Sequence, residues 1–271
     1  HAEIHQMRSD QGGTVTGRFS YSNPNLQQIP ARNAILGPMI RSLFIPEKDC
    51  QWGIFDYSQQ EPRIVVHYAS LKNYKGAGKF VDAYNEGETD FHQIVAKMAD
   101  IPRKQTKTIN LGLFYGMGKN KLAASLELDK KESKELFNRY HKEVPFVREL
   151  SNGLIAFAER EGKIFTLEDR FCRFDKWEPK NKEWDQEKGS FVYTEYVESE
   201  EDGKVVKKIE RNPVPVMKKK DALNHYLGNR TKSLQEPDPD CIEFKHYYQP
   251  AFTYKALNKL IQGSAADMTK K

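Results

Sequence analysis

The chain has 271 residues, of which 38% are hydrophobic, 11% aromatic and 30% charged. That composition is sufficient for the core of one large domain or two modest ones, so wholesale disorder is excluded. No apolar run approaches the roughly 18 residues of a membrane span, and the first residues lack a signal-peptide pattern. The net charge of +5 permits a polyanionic partner without requiring one.

The cysteines, Cys50, Cys172 and Cys241, are far apart and show no Cys-x-x-Cys spacing. We therefore expect neither a disulfide framework nor a zinc site, and we place the protein in a reducing cytoplasm. Because the chain starts with His1 rather than Met, we expect it to be a piece of a longer polypeptide.

Turn-forming residues dominate residues 1–50, which we predict to be loops with short strands. Residues 51–57 are predicted to form a strand, with Asp56 near its end. A polar turn follows, and Pro62 indicates the first turn of the next helix, where its missing N–H has no partner to lose. Further helices are predicted at about 90–99, 102–115, 132–140 and 146–161.

The composition changes in residues 176–211, which hold 8 basic and 10 acidic residues. Asp202-Gly203 lies between β-prone runs and indicates a hairpin. We predict residues 176–249 to be a solvated insertion of β-ribbon and loop. From Pro250 a helix is predicted to run to the end. Its apolar stripe is Leu257, Leu260, Ile261 and Ala265, and its polar stripe is Tyr254, Asn258 and Gln262.

Four residues of the predicted helix 102–115 share a spacing of four: Arg103, Lys107, Leu111 and Tyr115. Each step of four advances about 40° around a helix, so they fan over one face. Two cations followed by an apolar group and an aromatic ring could hold a triphosphate and stack a sugar or base. The alternative is an amphipathic helix with solvated cations and a core-facing tyrosine, which the pattern taken alone favours.

Other candidates for chemistry lie outside that helix. Asp56 could bind Mg²⁺ with help from a backbone carbonyl, or it could simply cap a helix or turn. His92 could donate to a phosphate or be structural. Arg18, Asn25 and Gln27 lie in loops that suit contacts to a duplex minor groove, or that are plain turns.

Taken together and in this order, these segments resemble family A DNA polymerases. Thr16-Gly17-Arg18 and Pro24 to Pro30 are similar to the family's primer–template segment, and Asp56 to Arg63 is similar to its motif A. Arg103-x3-Lys107-x7-Tyr115-Gly116 resembles motif B. Gln262-Gly263-Ser264-Ala265-Ala266-Asp267 resembles the Q-G-[TS]-A-A-D helix.

The resemblance implies an α+β fold that is part of a polymerase right hand, with an antiparallel palm sheet and mostly helical fingers. It assigns residues 1–70 to the palm with the primer–template segment and motif A, and residues 71–170 to the fingers. A charged insertion with a β-hairpin would cover 171–249, and 250–271 would return to a palm helix.

The implied reaction is two-metal transfer of a dNTP to a primer 3′-OH. Two Mg²⁺ ions are implied, held in part by Asp56 and the Tyr57 carbonyl. Arg103 and Lys107 would grip the phosphates, with Lys107 a candidate proton donor. The implied dNTP-binding residues are Tyr57, Gln60, Glu61, His92, Arg103, Lys107, Leu111 and Tyr115. The implied primer–template contacts are Arg18, Asn25, Gln27, Asn258 and Gln262.

Among these residues Glu61 would exclude a ribose 2′-OH. Leu111 stands where the family has Phe or Tyr and offers no hydroxyl, so we expect poor use of dideoxynucleotides. Pro62 replaces a usual Leu and fits a helix start. Tyr254 replaces an Arg of the bacterial relatives, which puts one DNA contact in doubt.

The family's motif C, His-Asp-Glu, which supplies a second metal carboxylate, does not occur in the 271 residues. We therefore expect this chain alone to be inactive, and to need a C-terminal polymerase part carrying motif C in cis or in trans. Two alternatives stay open: a non-catalytic nucleic-acid-binding fragment, and a single-subunit RNA polymerase. Glu61 after Gln60 argues against the second.

Overall fold

The computed structural model describes residues 2–6, 12–30, 33–87, 90–201, 204–228 and 242–271. Helices predominate in the described residues and the sheets are small and antiparallel, which confirms the α+β class. None of the helices in these ranges has the length and apolar character needed to cross a bilayer.

The described helices are α1 (Leu36–Arg41), α2 (Gln60–Leu71), α3 (Ala77–Asn85), α4 (Phe91–Ala99), α5 (Arg103–Phe114), α6 (Lys119–Leu126), α7 (Lys130–Glu143), α8 (Pro145–Glu161), α9 (Lys219–Gly228), α10 (Ile242–Tyr247) and α11 (Ala256–Lys270). The described strands are β1 (Glu3–His5), β2 (Ser20–Ser22), β3 (Lys163–Phe165), β4 (Phe171–Arg173), β5 (Lys176–Pro179), β6 (Lys182–Asp185), β7 (Ser190–Glu201), β8 (Lys204–Pro213), β9 (Met217–Lys218) and β10 (Tyr248–Pro250).

The chain divides into two compact units. The first comprises residues 1–154, 165–172 and 257–271, and the second comprises 155–164 and 173–256. All the site residues predicted from the sequence belong to the first unit.

The core of the first unit contains four phenylalanine side chains, on α3, α4, α5 and α8, that pack together. The Phe80 ring lies 4.9 Å from Phe91 and 5.3 Å from Phe146, centroid to centroid, and Phe91 lies 5.9 Å from Phe114. All four rings are fully buried. Large buried rings contribute much of the apolar area removed from water, so this cluster fixes the helices that carry the site.

Local signals account for the helix positions in this unit. Pro102 is the N-cap of α5, and the Asp90 side chain accepts from the Gln93 N–H at the start of α4. A capping box of Asp129 and Glu132 begins α7. The Asp90 and Asp129 side chains satisfy N–H groups that have no partner within the helix, and the helices predicted from the sequence are confirmed within a few residues.

The strand predicted at Gln51–Tyr57 is wrong. The structure assigns no strand there, and no described segment pairs with it. Its side chains are exposed, with Ile54 at 91% and Phe55 at 96% of full exposure. A strand exists only where a neighbouring strand accepts and donates its backbone hydrogen bonds, which an apolar sequence alone does not supply.

The second unit contains the predicted β-ribbon. Strands β7 and β8 pair antiparallel from Val192↔Pro213 to Glu201↔Lys204, and β6 pairs with β7 on the other side. The predicted hairpin is therefore confirmed, although Asp202-Gly203 itself lies outside the described residues. A second small sheet has the order β10-β5-β9.

The insertion also has a core that the charge pattern did not predict. Helices α9 and α10 and strands β5 and β10 bury Trp177, Tyr226, Phe244 and Tyr248 together. The rings of Phe244 and Tyr248 are stacked with centroids 5.1 Å apart. The prediction of ribbon and loop alone was incomplete because a few aromatic residues suffice to build a core within a charged sequence.

The final helix begins later than predicted. Residues 248–250 form β10, and a short 3-10 helix at Thr253–Lys255 precedes α11. The predicted apolar stripe is confirmed, since Leu257, Leu260, Ile261 and Ala265 are all buried. Tyr254 is not on α11, so the predicted polar stripe is limited to Asn258 and Gln262.

Candidate functional site

Arg170 joins the Thr16-Gly17-Arg18 loop to the last helix. Its Nη2 donates to the Thr16 carbonyl at 3.0 Å and to the Gly263 carbonyl at 2.9 Å, and its Nε donates to Asp267 Oδ1 at 2.8 Å. The sequence did not identify Arg170, because its partners are distant along the chain and it belongs to none of the motifs.

A glycine is required at the centre of that loop. Gly17 has φ of +82°, and a Cβ atom there would lie 2.7 Å from the Arg170 guanidinium. Only glycine adopts this backbone freely, and only a residue without Cβ leaves room for the arginine. Glycine at position 17 therefore lets Arg170 approach the backbone of the loop closely. This contact holds the loop that carries Arg18.

Asp56 and Tyr57 lie just before α2 and are exposed. Within the described part of the chain, no other side chain pairs with the Asp56 carboxylate. Carboxylate and carbonyl oxygens are the ligands that Mg²⁺ prefers, so these two residues fit the metal in kind. They do not fit it in number, because the described residues contain no group of three or more His, Cys, Asp or Glu that could hold an ion.

The start of α2 is tied to two other helices. The Phe91 N–H, at the start of α4, donates to Gln59 Oε1 at 2.6 Å. Gln60 Nε2 donates to the Ala265 carbonyl on α11 at 3.1 Å. These bonds hold motif A against the segments that resemble the dNTP site and the Q-G-[TS]-A-A-D helix.

Glu61 is the centre of a hydrogen-bonded group. The Tyr115 hydroxyl donates to Glu61 Oε2 at 2.6 Å, and Arg18 Nη2 donates to Glu61 Oε1 at 2.6 Å. Gln262 also hydrogen-bonds Tyr115. The four residues come from four motifs of the sequence, and the Glu61 side chain is only 15% exposed. Burial, reinforced by the Glu61 carboxylate, raises the pKa of Tyr115 to about 12, so the hydroxyl remains a donor at neutral pH.

The predicted cationic face is present on α5. Arg103 and Lys107 are exposed, whereas Leu111 and Tyr115 are half-buried. Arg103 is paired with Asp90, whose Oδ2 accepts from Nη2 at 2.6 Å and from Nε at 2.9 Å. An incoming phosphate would therefore compete with a carboxylate for Arg103 and would meet Lys107 directly.

His92 lies beneath that face. It is 8% exposed, and its Nδ1 lies 2.8 Å from the Nδ2 atom of the fully buried Asn110. Burial is the largest cause that lowers the pKa of His92, and Lys107 and Arg103 add to it while Asp90 opposes it. The imidazole is therefore held in its neutral form.

The residues predicted to contact nucleic acid have different surroundings in the structure. Asn25 and Gln27 stabilise their own loop, since Asn25 Oδ1 accepts from the Gln27 N–H and Gln27 Nε2 donates to the Phe19 carbonyl. Asn258 Oδ1 is buried with no hydrogen-bond partner among the described residues. A cavity of about 350 Å³ is lined in part by Arg18, Gln27 and Gln60.

The family model for DNA polymerase family A matches residues 1–191. A DNA-directed DNA polymerase of Pseudomonas phage M6 is 34% identical over 233 residues, covering 68% of this chain and 35% of the relative. DNA polymerase I of Helicobacter pylori is 36% identical over 173 residues, covering 61% and 18%. This chain thus spans about a third or less of the length of these curated relatives.

A solved structure agrees at the level of the fold. The polymerase domain of Pol1 from M. smegmatis, solved with primer–template DNA and dNTP, aligns over 100% of this chain and 36% of that one. The TM-score is 0.60 and the sequence identity is 24%. The match of the family model over most of the sequence, in the order of the four motifs, is sufficient to conclude that the chain belongs to DNA polymerase family A.

Proposed function

We propose that this chain is part of a template-directed DNA polymerase. In the reaction, the primer 3′-hydroxyl oxygen attacks the α-phosphate of a dNTP. The bond to the β-phosphate breaks, pyrophosphate leaves, and the hydroxyl proton is lost to solvent or base. The observation that carries the proposal is the bond from Tyr115, the C-cap residue of the cationic helix α5, to Glu61 of motif A. It brings the predicted triphosphate face and the predicted sugar site together.

The face of α5 would bind the triphosphate. Lys107 is exposed and would contact the leaving phosphates as their charge develops. Its position in motif B also makes it the candidate that donates a proton to pyrophosphate. Arg103 would exchange its bond to Asp90 for a phosphate oxygen. His92 would donate from the base of the same face.

Glu61 would select the sugar. Its carboxylate is held from two sides by Arg18 and Tyr115, so it cannot easily move away from a ribose 2′-OH. A restrained side chain rejects the extra hydroxyl through a steric clash. Tyr57, Gln60 and Leu111 would complete the dNTP site, and Leu111 would give poor use of dideoxynucleotides.

We propose two Mg²⁺ ions as cofactors, with Asp56 and the Tyr57 carbonyl supplying part of the ligands. When bound, the ions would activate the 3′-hydroxyl and neutralise the phosphates. Motif C is absent from the 271 residues and the relatives are far longer, which supports a second metal carboxylate on another polymerase segment, in cis or in trans.

Primer–template DNA would lie along Arg18, Asn25, Gln27, Asn258 and Gln262. Contacts of this kind position a duplex without reading its sequence. We assign residues 1–70 and 250–271 to the palm, 71–170 to the fingers, and 171–249 to an insertion. The phage and bacterial relatives support action in the cytoplasm of a bacterial host.

The test is primer extension by a polymerase that contains this chain, comparing Asp56→Asn with Asp49→Asn, an exposed acid upstream. We expect the first variant to lose about a thousandfold in rate, since charge stabilisation at the metal is worth several kcal/mol, and the second to retain activity. Unchanged extension by Asp56→Asn would refute the assignment.

A second assay tests whether the active site needs a segment that carries motif C. The purified 271-residue chain is mixed with a companion polypeptide that carries His-Asp-Glu, and primer extension is measured with and without it. Synthesis only with the companion supports the polymerase. Synthesis by the chain alone would refute the need for another segment, and DNA binding without any synthesis would favour the non-catalytic alternative.

A further inference from the structure

Asn110 and His92 form a buried polar pair beneath the cationic face of α5. Asn110 lies on α5 and is fully buried, and His92 is the second residue of α4. The distance from Asn110 Nδ2 to His92 Nδ1 is 2.8 Å, which is that of a good hydrogen bond. Because a buried pair of this kind has a fixed geometry, the donor or acceptor capacity of each atom determines the tautomer and the protonation state of the ring.

The amide nitrogen determines which ring nitrogen carries the proton. An Asn NH₂ group can only donate, so His92 Nδ1 must accept and must lack a hydrogen. The ring proton is then on Nε2, which becomes a donor. A doubly protonated ring would place two hydrogens between Nδ2 and Nδ1, so the pair also disfavours the imidazolium.

The surroundings of the ring, taken together, oppose its protonation, and burial is the main reason. Arg103 and Lys107 on α5 oppose a positive charge at His92, and burial opposes it more strongly, whereas Asp90 beside it favours it. A bound triphosphate would add negative charge and favour protonation. A hydrogen bond that only the neutral ring can accept would resist that change.

We propose that Asn110 is a positioning residue that holds His92 as a neutral donor through Nε2, so that this N–H is available to a phosphate of the incoming nucleotide. The assignment of a phosphate as acceptor rests on the proposed function, whereas the tautomer of His92 does not. Asn110 itself touches no substrate, and its effect is exerted through the ring.

The direct test is long-range ¹H–¹⁵N NMR on the chain labelled at its 7 histidines, without nucleotide, with His92 assigned by the His92→Gln variant. We expect a protonated Nε2 and an unprotonated Nδ1 at neutral pH. The opposite tautomer, which the Asn110 amide would select with its oxygen toward the ring, overturns the inference even if the chain proves to be part of a polymerase.

Two variants on α5 test the same inference by mutation. Asn110→Asp replaces the donor by a buried carboxylate, so Nδ1 should gain a proton and the pKa of His92 should rise by about 1–3 units. Thr106→Ser is the control, because Thr106 is buried on the same helix and bonds only backbone carbonyls of Ile101 and Pro102 among the described residues. An unchanged His92 titration in Asn110→Asp contradicts the proposal, and if that variant does not fold, the wild-type tautomer decides.

The last measurement separates the inference from the proposed function. Affinity for a dNTP with primer–template is measured between pH 6 and 8 for wild type and Asn110→Asp. We expect a nearly flat profile for wild type and a pH-dependent one for the variant. If the tautomer is as inferred but neither protein binds dNTP, the proposed function fails and the positioning of His92 stands.

Discussion

The Tyr115 hydroxyl donates a 2.6 Å hydrogen bond to Glu61 Oε2, linking residues 54 positions apart in the sequence. Tyr115 is the C-cap residue of α5, and Glu61 lies in the first turn of α2. The bond therefore fixes the end of the cationic helix against motif A, and the account of the site depends on it.

Tyr115→Phe removes the donor while keeping the ring. Hydrogen bonds to charged groups contribute about 1.5–3 kcal/mol, so the free energy of unfolding should fall by that amount. Urea unfolding of the purified chain measures it. Tyr57→Phe is the control, since that hydroxyl is on an exposed side chain, and an equal effect of the two variants would contradict the role of the bond.

Glu61→Ala should weaken discrimination against ribonucleotides. Removing the carboxylate opens the space for a 2′-OH, and we expect the ratio of kcat/KM for dNTP to that for rNTP to fall at least about tenfold. Tyr115→Phe removes only one of the two bonds that hold Glu61, so it should lower the ratio by less than Glu61→Ala does. A wild-type enzyme that prefers rNTPs would favour the RNA polymerase alternative and refute the assignment of Glu61.

Asp90→Asn should free Arg103 for phosphate. Asn keeps an oxygen to cap α4, so the start of the helix is preserved while the ion pair is lost. An exposed pair of this kind is worth about 0.2–1 kcal/mol, so dNTP affinity should rise up to about fivefold at low salt. Weaker binding in a nucleotide titration would show instead that Asp90 holds Arg103 in the productive position.

The same pair predicts a pH dependence. Burial pushes the pKa of Asp90 up, but hydrogen bonds from Arg103 and from the Gln93 N–H outweigh it and leave the pKa below its ordinary value. The contribution of the ionised Asp90 carboxylate to the free energy of unfolding is therefore fully present above the ordinary carboxyl pKa. It is lost as the pH falls through the lowered pKa of Asp90.

His141 should make the protein sensitive to acid. Burial, with smaller contributions from Arg148 and Lys119, lowers the pKa of His141 to about 4. The unfolded chain binds this proton near pH 6.5, so stability is fully present above that pH and declines as the pH falls toward about 4.

His141→Phe should reduce that decline, since it preserves the ring that lies 4.4 Å from Phe137 but cannot titrate. The difference between the unfolding free energies at pH 7.5 and 4.5 should shrink by about 1 kcal/mol, after allowance for screening of a half-buried group. Equal declines in wild type and variant would show that the proton binds elsewhere.

The helices of this chain were predictable because their signals are local. Pro102 begins α5, Asp90 caps α4, and the stripe from Leu257 to Ala265 needs only the period of a helix. Each signal depends on residues within one or two turns, which a sequence displays directly. The cationic face of α5 was predicted from the same helical periodicity.

The remaining features depend on contacts between distant residues. Residues 51–57 have the composition of a strand, but no described segment pairs with them. The bond from Arg170 to Asp267 joins residues 97 positions apart, and nothing in either neighbourhood indicates it. The pairing of Asn110 with His92 was missed for the same reason, although both residues lie in or near motifs that the sequence singled out.

The most direct test of the central claim is equilibrium binding of a complementary dNTP to the chain with primer–template and Mg²⁺. Lys107→Ala removes an exposed cation from the proposed triphosphate face of α5, and Lys97→Ala removes an exposed cation from α4. We predict that the first weakens binding about tenfold or more and that the second leaves it unchanged. Equal affinities of wild type and Lys107→Ala would contradict the claim that this face holds the nucleotide.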